Sequence, residues 1–377
     1  METAIFIAAL LTLFLGKPRL RYSVPTDGSY MSHDRTMMIN GIFLVLIVLK
    51  HTCGIGQIVG YVPEGIDLVL KECLIMPLRQ FIIATFFFYS GYGIMCSIRK
   101  RGDAYIHDLL CVRFLRLYLN LAVAMLVVYA IPPGIFQHPL GVAKDYLLNV
   151  LGLTPNYAFI IVTLALYLLT WVSFRVCGTQ RPWLAIGTFF CLTMAFCLAL
   201  LPYKPQFWVD MLPCFVAGTA YCMLQQRIDR MLSGSRMPVS LIGAAAIGVA
   251  MAGITHIPAC NYYISQWLHI DPDAHRSLHF LLLTQAFAIP FAVGVTWFFA
   301  GITWQRVPAF LKWFGGPAVF SVYCWHFTPI IQFCRMGLNS SHPSLYVLAV
   351  FLCAILLGWL GIRFFKAVDH VFWPKAR

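Results

Sequence analysis

Two histidines stand where ionisable side chains are costly. His51 closes the run Ile42-Phe43-Leu44-Val45-Leu46-Ile47-Val48-Leu49-Lys50-His51, and His326 lies in Phe320-Ser321-Val322-Tyr323-Cys324-Trp325-His326-Phe327. A polar group in hydrocarbon costs several kcal/mol unless it is satisfied. An ionisable residue inside such a run is therefore a functional candidate by default. Imidazole changes charge near neutral pH, which suits it to abstracting a proton. The alternative for each is a neutral histidine hydrogen-bonded to a neighbouring helix.

Other polar residues fall in register with them. Asn40 precedes His51 by eleven positions. On a helix that is about three turns plus 20°, so both share one face, about 16 Å apart. A tunnel across a membrane needs such a face, with one polar group near one end and a base further along. Phe86-Phe87-Phe88-Tyr89 leads into Ser90-Gly91-Tyr92-Gly93. The aromatic run alone reads as lipid-facing or core helix. The Ser-Gly-Tyr-Gly segment adds hydroxyls and room for a close backbone approach. Arg99-Lys100-Arg101 follows, then Arg113 and Arg116 at i,i+3 spacing. Such a pair is an ordinary basic flank against lipid headgroups, or a clamp for phosphates, which arginine binds in bidentate fashion.

Weaker signals lie elsewhere. His275 and His279 have zinc-compatible i,i+4 spacing but no third ligand, so no metal site is expected. Trp267, His269, Asp271 and Asp273 could touch a glycan, although Trp and Tyr near an interface usually form an aromatic belt. The sequence has no P-loop, dinucleotide-binding glycine motif, H-E-x-x-H or G-x-S-x-G. All 14 acidic residues fall in loops or at the ends of apolar segments. That argues against an ion-coupled transporter with a carboxylate at the membrane midplane, and against a paired-carboxylate hydrolase.

The elements that must hold these residues are apolar helices. The chain has 377 residues, 60% hydrophobic and 11% charged, with a mean hydropathy of +0.78. Soluble domains carry about 25% charged residues, so a water-soluble monomer is excluded. Roughly 20 apolar residues make one span. Eleven apolar segments are expected, at about 3–16, 37–60, 74–98, 109–131, 156–174, 183–201, 208–225, 239–257, 278–301, 317–334 and 344–362. The expectation is an all-α, polytopic transmembrane bundle of 10–11 spans, forming a single domain over 1–377 with a core at about 35–366. Turns are marked at Ile131-Pro132-Pro133-Gly134 and Thr154-Pro155-Asn156. The 13 cysteines, with no C-x-x-C pair, read as small apolar fillers.

Charge sets the expected orientation. Segment 3–16 has Glu2 before it and Lys17, Arg19 and Arg21 after it, the reverse of a signal peptide. With the N-terminus outside, 20 of the 27 Lys and Arg fall in inner segments. Only Lys50, Lys71, Arg79, Lys144, Lys204, Arg276 and Arg335 fall elsewhere. This split predicts a cytoplasmic C-terminus. The net charge of +13 is then a membrane-topology feature, and no basic soluble stretch exists to bind nucleic acid.

Taken in order, these residues resemble the acyltransferase 3 family of integral membrane acyltransferases. Asn40-Gly41 and the helix ending at His51 are similar to the family's early span, in which an arginine precedes a histidine by eleven positions. Phe86 to Tyr92 resembles its aromatic segment ending in Ser-Gly-Tyr, and Arg113 and Arg116 resemble the arginine-rich stretch that follows. Trp313-Phe314-Gly315 with Ser321 to His326 resembles its late Gly-to-His helix. Asn156-Tyr157 with Tyr167, and Phe215 to Gly218, are looser matches. Where the family carries an arginine eleven positions before the histidine, this chain has Asn40. Arg35 lies sixteen positions before His51, about 24 Å away on another face.

The resemblance implies transfer of an acyl group, often acetyl, from cytoplasmic acyl-CoA to a hydroxyl of a cell-envelope glycan or related molecule, in a bacterial cytoplasmic membrane. No metal is implied. His51 would take the proton from the acceptor hydroxyl, and His326 would position the acceptor or carry a second proton. Arg113 and Arg116 would hold the coenzyme's phosphates. Arg35 and Asn40 mark the family's donor-contact position. Tyr89 and Ser90 would stabilise the oxyanion or orient the donor, and an acyl-serine on Ser90 or Ser321 is a further route. Two other readings stay open: a transporter or flippase for an envelope lipid or polysaccharide, and a catalytically inactive membrane sensor.

Overall fold

Apolar chain in a solvent without hydrogen-bonding partners must satisfy its backbone internally, and helices do so locally. The computed structural model describes residues 1–21, 28–58, 61–78, 81–130, 139–153, 157–233, 238–268 and 278–373. Its helices include α1 (Glu2–Leu15), α2 (His33–Ile58), α3 (Phe81–Arg101), α4 (Leu115–Ala130), α5 (Pro139–Val150), α6 (Ala158–Cys177) and α7 (Pro182–Leu200). They continue as α8 (Leu212–Ser233), α9 (Val239–Leu268), α10 (Leu278–Ala300), α11 (Ala309–Phe314), α12 (Val319–Trp325), α13 (Phe327–Arg335) and α14 (Pro343–Phe372). Among the described residues, the strands are Pro18–Leu20 and Ile302–Trp304. They pair antiparallel with Arg19 opposite Thr303, and so tie the end of α1 to the end of α10.

The chain is thus an all-α polytopic bundle, as its composition predicts. Among the described residues, eight helical stretches are long and apolar enough to cross a bilayer. Three of the eleven expected segments are helical but fall outside that set, each for a physical reason. Helix α1 has 14 residues, about 21 Å of helix against a hydrocarbon core of about 30 Å. Helix α8 turns polar in its second half, through Gln225, Gln226, Arg227, Asp229 and Arg230. Segment 317–334 is broken into α12 and α13 at His326. Pro329 has no N–H to give the Trp325 carbonyl, so the helix cannot run on unbroken.

Lipid tails are as apolar as leucine, so burying leucine gives helices little reason to associate. Close van der Waals packing does. Two glycine crossings supply it here. A Cβ on Gly41 would lie 2.2 Å from the Leu311 carbonyl oxygen, and one on Gly315 would lie 2.0 Å from the Gly41 nitrogen. Helix α2 therefore meets α11 and its C-terminal glycine backbone to backbone. Likewise a Cβ on Gly91 would lie 1.9 Å from the Phe215 carbonyl oxygen, and one on Gly218 would lie 2.0 Å from that of Phe88. This second crossing joins α3 to α8. Around these contacts α2 is the central helix, with Met38, Leu44, Val45, Val48 and Leu49 fully buried.

Candidate active site

The two membrane histidines meet. His51 Nδ1 lies 2.7 Å from His326 Nε2, and the rings stack with centroids 5.0 Å apart. Phe327 packs on both, at 4.7 Å from His51 and 4.3 Å from His326. The helix break makes this possible. Irregular backbone at membrane depth is tolerated where protein buries it, and His326 is fully buried. His326 Nδ1 faces two carbonyl oxygens, Val322 at 2.9 Å and Tyr323 at 3.0 Å. Carbonyls only accept, so this nitrogen carries the hydrogen and donates it. In neutral His326 the Nε2 is then the acceptor, and His51 Nδ1–H is its donor. That leaves His51 Nε2 with a free lone pair, the tautomer of a base.

His51 lines a cavity of about 600 Å³, whereas His326 sits behind it, off the wall. The rest of the wall is mostly apolar, with Phe87 from α3, Phe159 and Val162 from α6, and Phe207. Its polar members are Lys50, Tyr129, Tyr157, Tyr323 and Thr328. Sequence reasoning missed Lys50, Tyr129, Tyr323 and Thr328 as site residues. Lys50 and Tyr323 were detectable, since each flanks a histidine within a few positions. Tyr157 has φ +57°, a left-handed conformation costing a non-glycine residue roughly 1–2 kcal/mol. Asn149 donates to the Tyr129 hydroxyl at 2.6 Å.

A second cavity, of about 700 Å³, is lined by Arg101, Arg113, Arg116, Asn120, Tyr167, Ser321, Lys366 and Asp369, among others. Helices α4, α6 and α12 contribute to both cavities. On α6 the first cavity takes Ala158, Phe159 and Val162 and the second Tyr167, and on α4 the first takes Val128 and Tyr129 and the second Arg116, Leu117 and Asn120, so the two cavities are displaced from each other along shared helices. Arg113 sits in a π-helical turn, Leu109–Phe114, just before α4. Arg116 is already engaged: its Nε and Nη2 donate to the two Asp369 oxygens at 2.8 and 2.5 Å. Arg101 pairs with Asp108. Among the described residues, Arg113 and Lys366 form no ion pair, so they are the cations available to a bound anion. Lys366 was visible in the sequence only as a basic flank.

The remaining site candidates lie elsewhere. Asn40 sits at the α2–α11 crossing and lines neither cavity, and its Oδ1 is buried without a hydrogen-bond partner among the described residues. The Arg35 guanidinium stands over the Trp304 ring, 5.6 Å from its centroid. Tyr89 is buried, with its hydroxyl 3.2 Å from that of Thr296 on α10, and neither Tyr89 nor Ser90 lines either of the two cavities. Ser321 donates to the Ala318 carbonyl at 3.1 Å and lines the arginine cavity, away from the histidines. His269, Asp271, Asp273, His275, both proline turns and Asn156 lie outside the described residues, as do the side chains of Trp267 and His279.

A family model described as an acyltransferase domain matches residues 39–363, a stretch that contains both histidines, Arg113, Arg116 and both glycine crossings. No curated protein and no solved structure matches the chain.

Proposed function

We propose a reaction for this chain, which belongs to the acyltransferase 3 family: it moves an acetyl or related acyl group from acyl-CoA to a hydroxyl of a cell-envelope glycan or similar acceptor. The observation that carries this reading is His51, held by His326 behind it, on the wall of a cavity that also carries Lys50 and the hydroxyls of Tyr129, Tyr157, Tyr323 and Thr328. His51 Nε2 takes the proton as the acceptor oxygen attacks the thioester carbon. The C–O bond forms and the C–S bond breaks. His51 then returns the proton to the departing thiolate, which leaves as free coenzyme thiol. Lys50 and the hydroxyls of Tyr129, Tyr157, Tyr323 and Thr328 are the donors within reach of a developing oxyanion. The arginine cavity suits the donor's phosphates, with Arg113 and Lys366 as its available cations. On this reading that end of the bundle faces the cytoplasm, in accord with the charge distribution. The test is thiol release from acetyl-CoA by the protein in nanodiscs, across a panel of envelope glycans. Acceptor-dependent release supports the reading. A folded preparation that neither binds nor consumes acetyl-CoA overturns it.

His326 acts as a positioning residue. Replacing it with phenylalanine removes the acceptor that fixes the His51 tautomer, and kcat falls about 10–100-fold with KM for both substrates unchanged. His326→Gln keeps an acceptor and recovers part of the loss. In a His51→Ala background neither change matters further, because the two act as one unit. An equal loss in that background assigns His326 a separate role.

The arginine cavity gives a second expectation. Arg113→Ala and Lys366→Ala each raise KM for acetyl-CoA roughly tenfold, as for one lost charge-assisted hydrogen bond. Arg116→Ala strips Asp369 of its bidentate partner, and lowers the thermal midpoint more than it raises KM. KM and melting measured on the same preparations separate these effects. A donor defect confined to Arg116 reverses the assignment.

A further inference from the structure

Helices α3 and α8 run side by side in the same direction. Phe88, Gly91 and Tyr92 face Phe215 and Gly218, and one turn further Cys96 faces Cys222. The glycine crossing already holds the two backbones in contact, so these side chains have nowhere else to go. Their sulfurs are 3.1 Å apart. Arg99 Nη1 donates to the Cys222 carbonyl at 3.1 Å and comes within 4.0 Å of its sulfur. Cys96 is half-buried and Cys222 is buried, so Cys96 is the more accessible of the two. Among the described residues this is the one thiol–thiol contact, and neither sulfur lines either of the two cavities above. The other cysteines match the apolar-filler reading, but this pair has a geometry suited to chemistry.

We propose that Cys96 and Cys222 form a redox modification site that takes small disulfides of the glutathione type. The Cys96 thiolate attacks one sulfur of the oxidant and expels its other half as a thiol, leaving a mixed disulfide on Cys96. The Cys222 thiolate then attacks the Cys96 sulfur and expels the second thiol. Two protein thiols lose two electrons and two protons, and one small disulfide becomes two thiols. A cationic guanidinium beside the pair favours the thiolate form that attacks. The sulfurs close by about 1 Å to reach bonding distance, and the backbone contact at Gly91 and Gly218 stays in place.

The test uses the full chain in nanodiscs, equilibrated in glutathione buffers from reduced to oxidised, then alkylated and mapped by mass spectrometry. The expected result is loss of two alkylatable thiols, a peptide linked through residues 96 and 222, reversal by dithiothreitol, and a thermal midpoint several degrees higher when oxidised. Cys96→Ser abolishes both the link and the shift. Mapping of the unmutated chain decides the matter even if the variant folds poorly. Cys96 and Cys222 both alkylated after oxidation, or linked only to other cysteines, overturns the proposal. The readout is covalent, so it is independent of whether the protein turns over acetyl-CoA.

Discussion

His51→Ala lowers acyl transfer from acetyl-CoA by about 10²–10⁴-fold, the range that general-base catalysis supplies. The geometry makes this the largest effect of any single polar substitution in the chain. His51 is the histidine on the cavity wall, and its Nε2 keeps the lone pair because its Nδ1–H is held 2.7 Å from His326 Nε2. The other polar members of that wall, Lys50, Tyr129, Tyr157, Tyr323 and Thr328, enter as hydrogen-bond donors. Donor binding survives, because Arg113 and Lys366, the cations proposed to hold the donor's phosphates, line the other cavity. The measurement pairs thiol release under saturating acceptor with equilibrium binding of acetyl-CoA. Lost turnover with retained binding is the expected pattern. Retained turnover removes His51 from the chemistry. Lost binding and lost turnover together place its role in the donor site.

The sequence made the helices legible, and much of the site's outline, for separate reasons. Apolar runs of about 20 residues have one stable backbone conformation in lipid, so the spans could be read from composition. His51 and His326 were legible because an intramembrane imidazole is rarely idle. That they touch was not, since 275 positions separate them and the contact depends on how α2 packs against the chain near α13. The break at His326 had a local signal, Pro329, which an apolar segment count over 317–334 passes over. Tyr89 illustrates the limit of motif reading. Its place beside Ser90 and Gly91 suggested a substrate contact, yet its hydroxyl points to Thr296. Which face of a helix meets a cavity follows from its neighbours, and no single-helix pattern fixes it. Asn40 has the same lesson: sharing a face with His51 put it over the α11 crossing, off the cavity wall. Conversely, the Ser-Gly-Tyr-Gly segment did signal a close backbone approach, and Gly91 makes it, with Phe215 as its partner.

Gly315→Val destabilises the protein by at least about 3 kcal/mol, the upper end for overpacked cores, and separates the two histidines in whatever fraction still folds. The added Cβ would lie 2.0 Å from the Gly41 nitrogen, 2.2 Å from the Met37 carbonyl oxygen and 2.6 Å from the Asn40 carbonyl carbon. All three are backbone atoms of α2, so no side chain can rotate aside. The helix itself must move. It carries His51 with it, while His326 stays with α12, eleven positions after Gly315. Gly54→Ala is the matched control. It lies on the same helix as His51, and its Cβ would meet nothing within 4 Å. Alanine there is neutral or stabilising by about 0.5–1 kcal/mol, because glycine is the weaker helix former. Thermal melting and size-exclusion profiles in detergent measure the stability difference, and turnover per folded molecule measures the misalignment. A Gly315→Val protein that melts and turns over like the parent would show that α2 and α11 do not cross backbone to backbone. The fixed distance between His51 and His326, on which the base assignment rests, would then lose its structural cause.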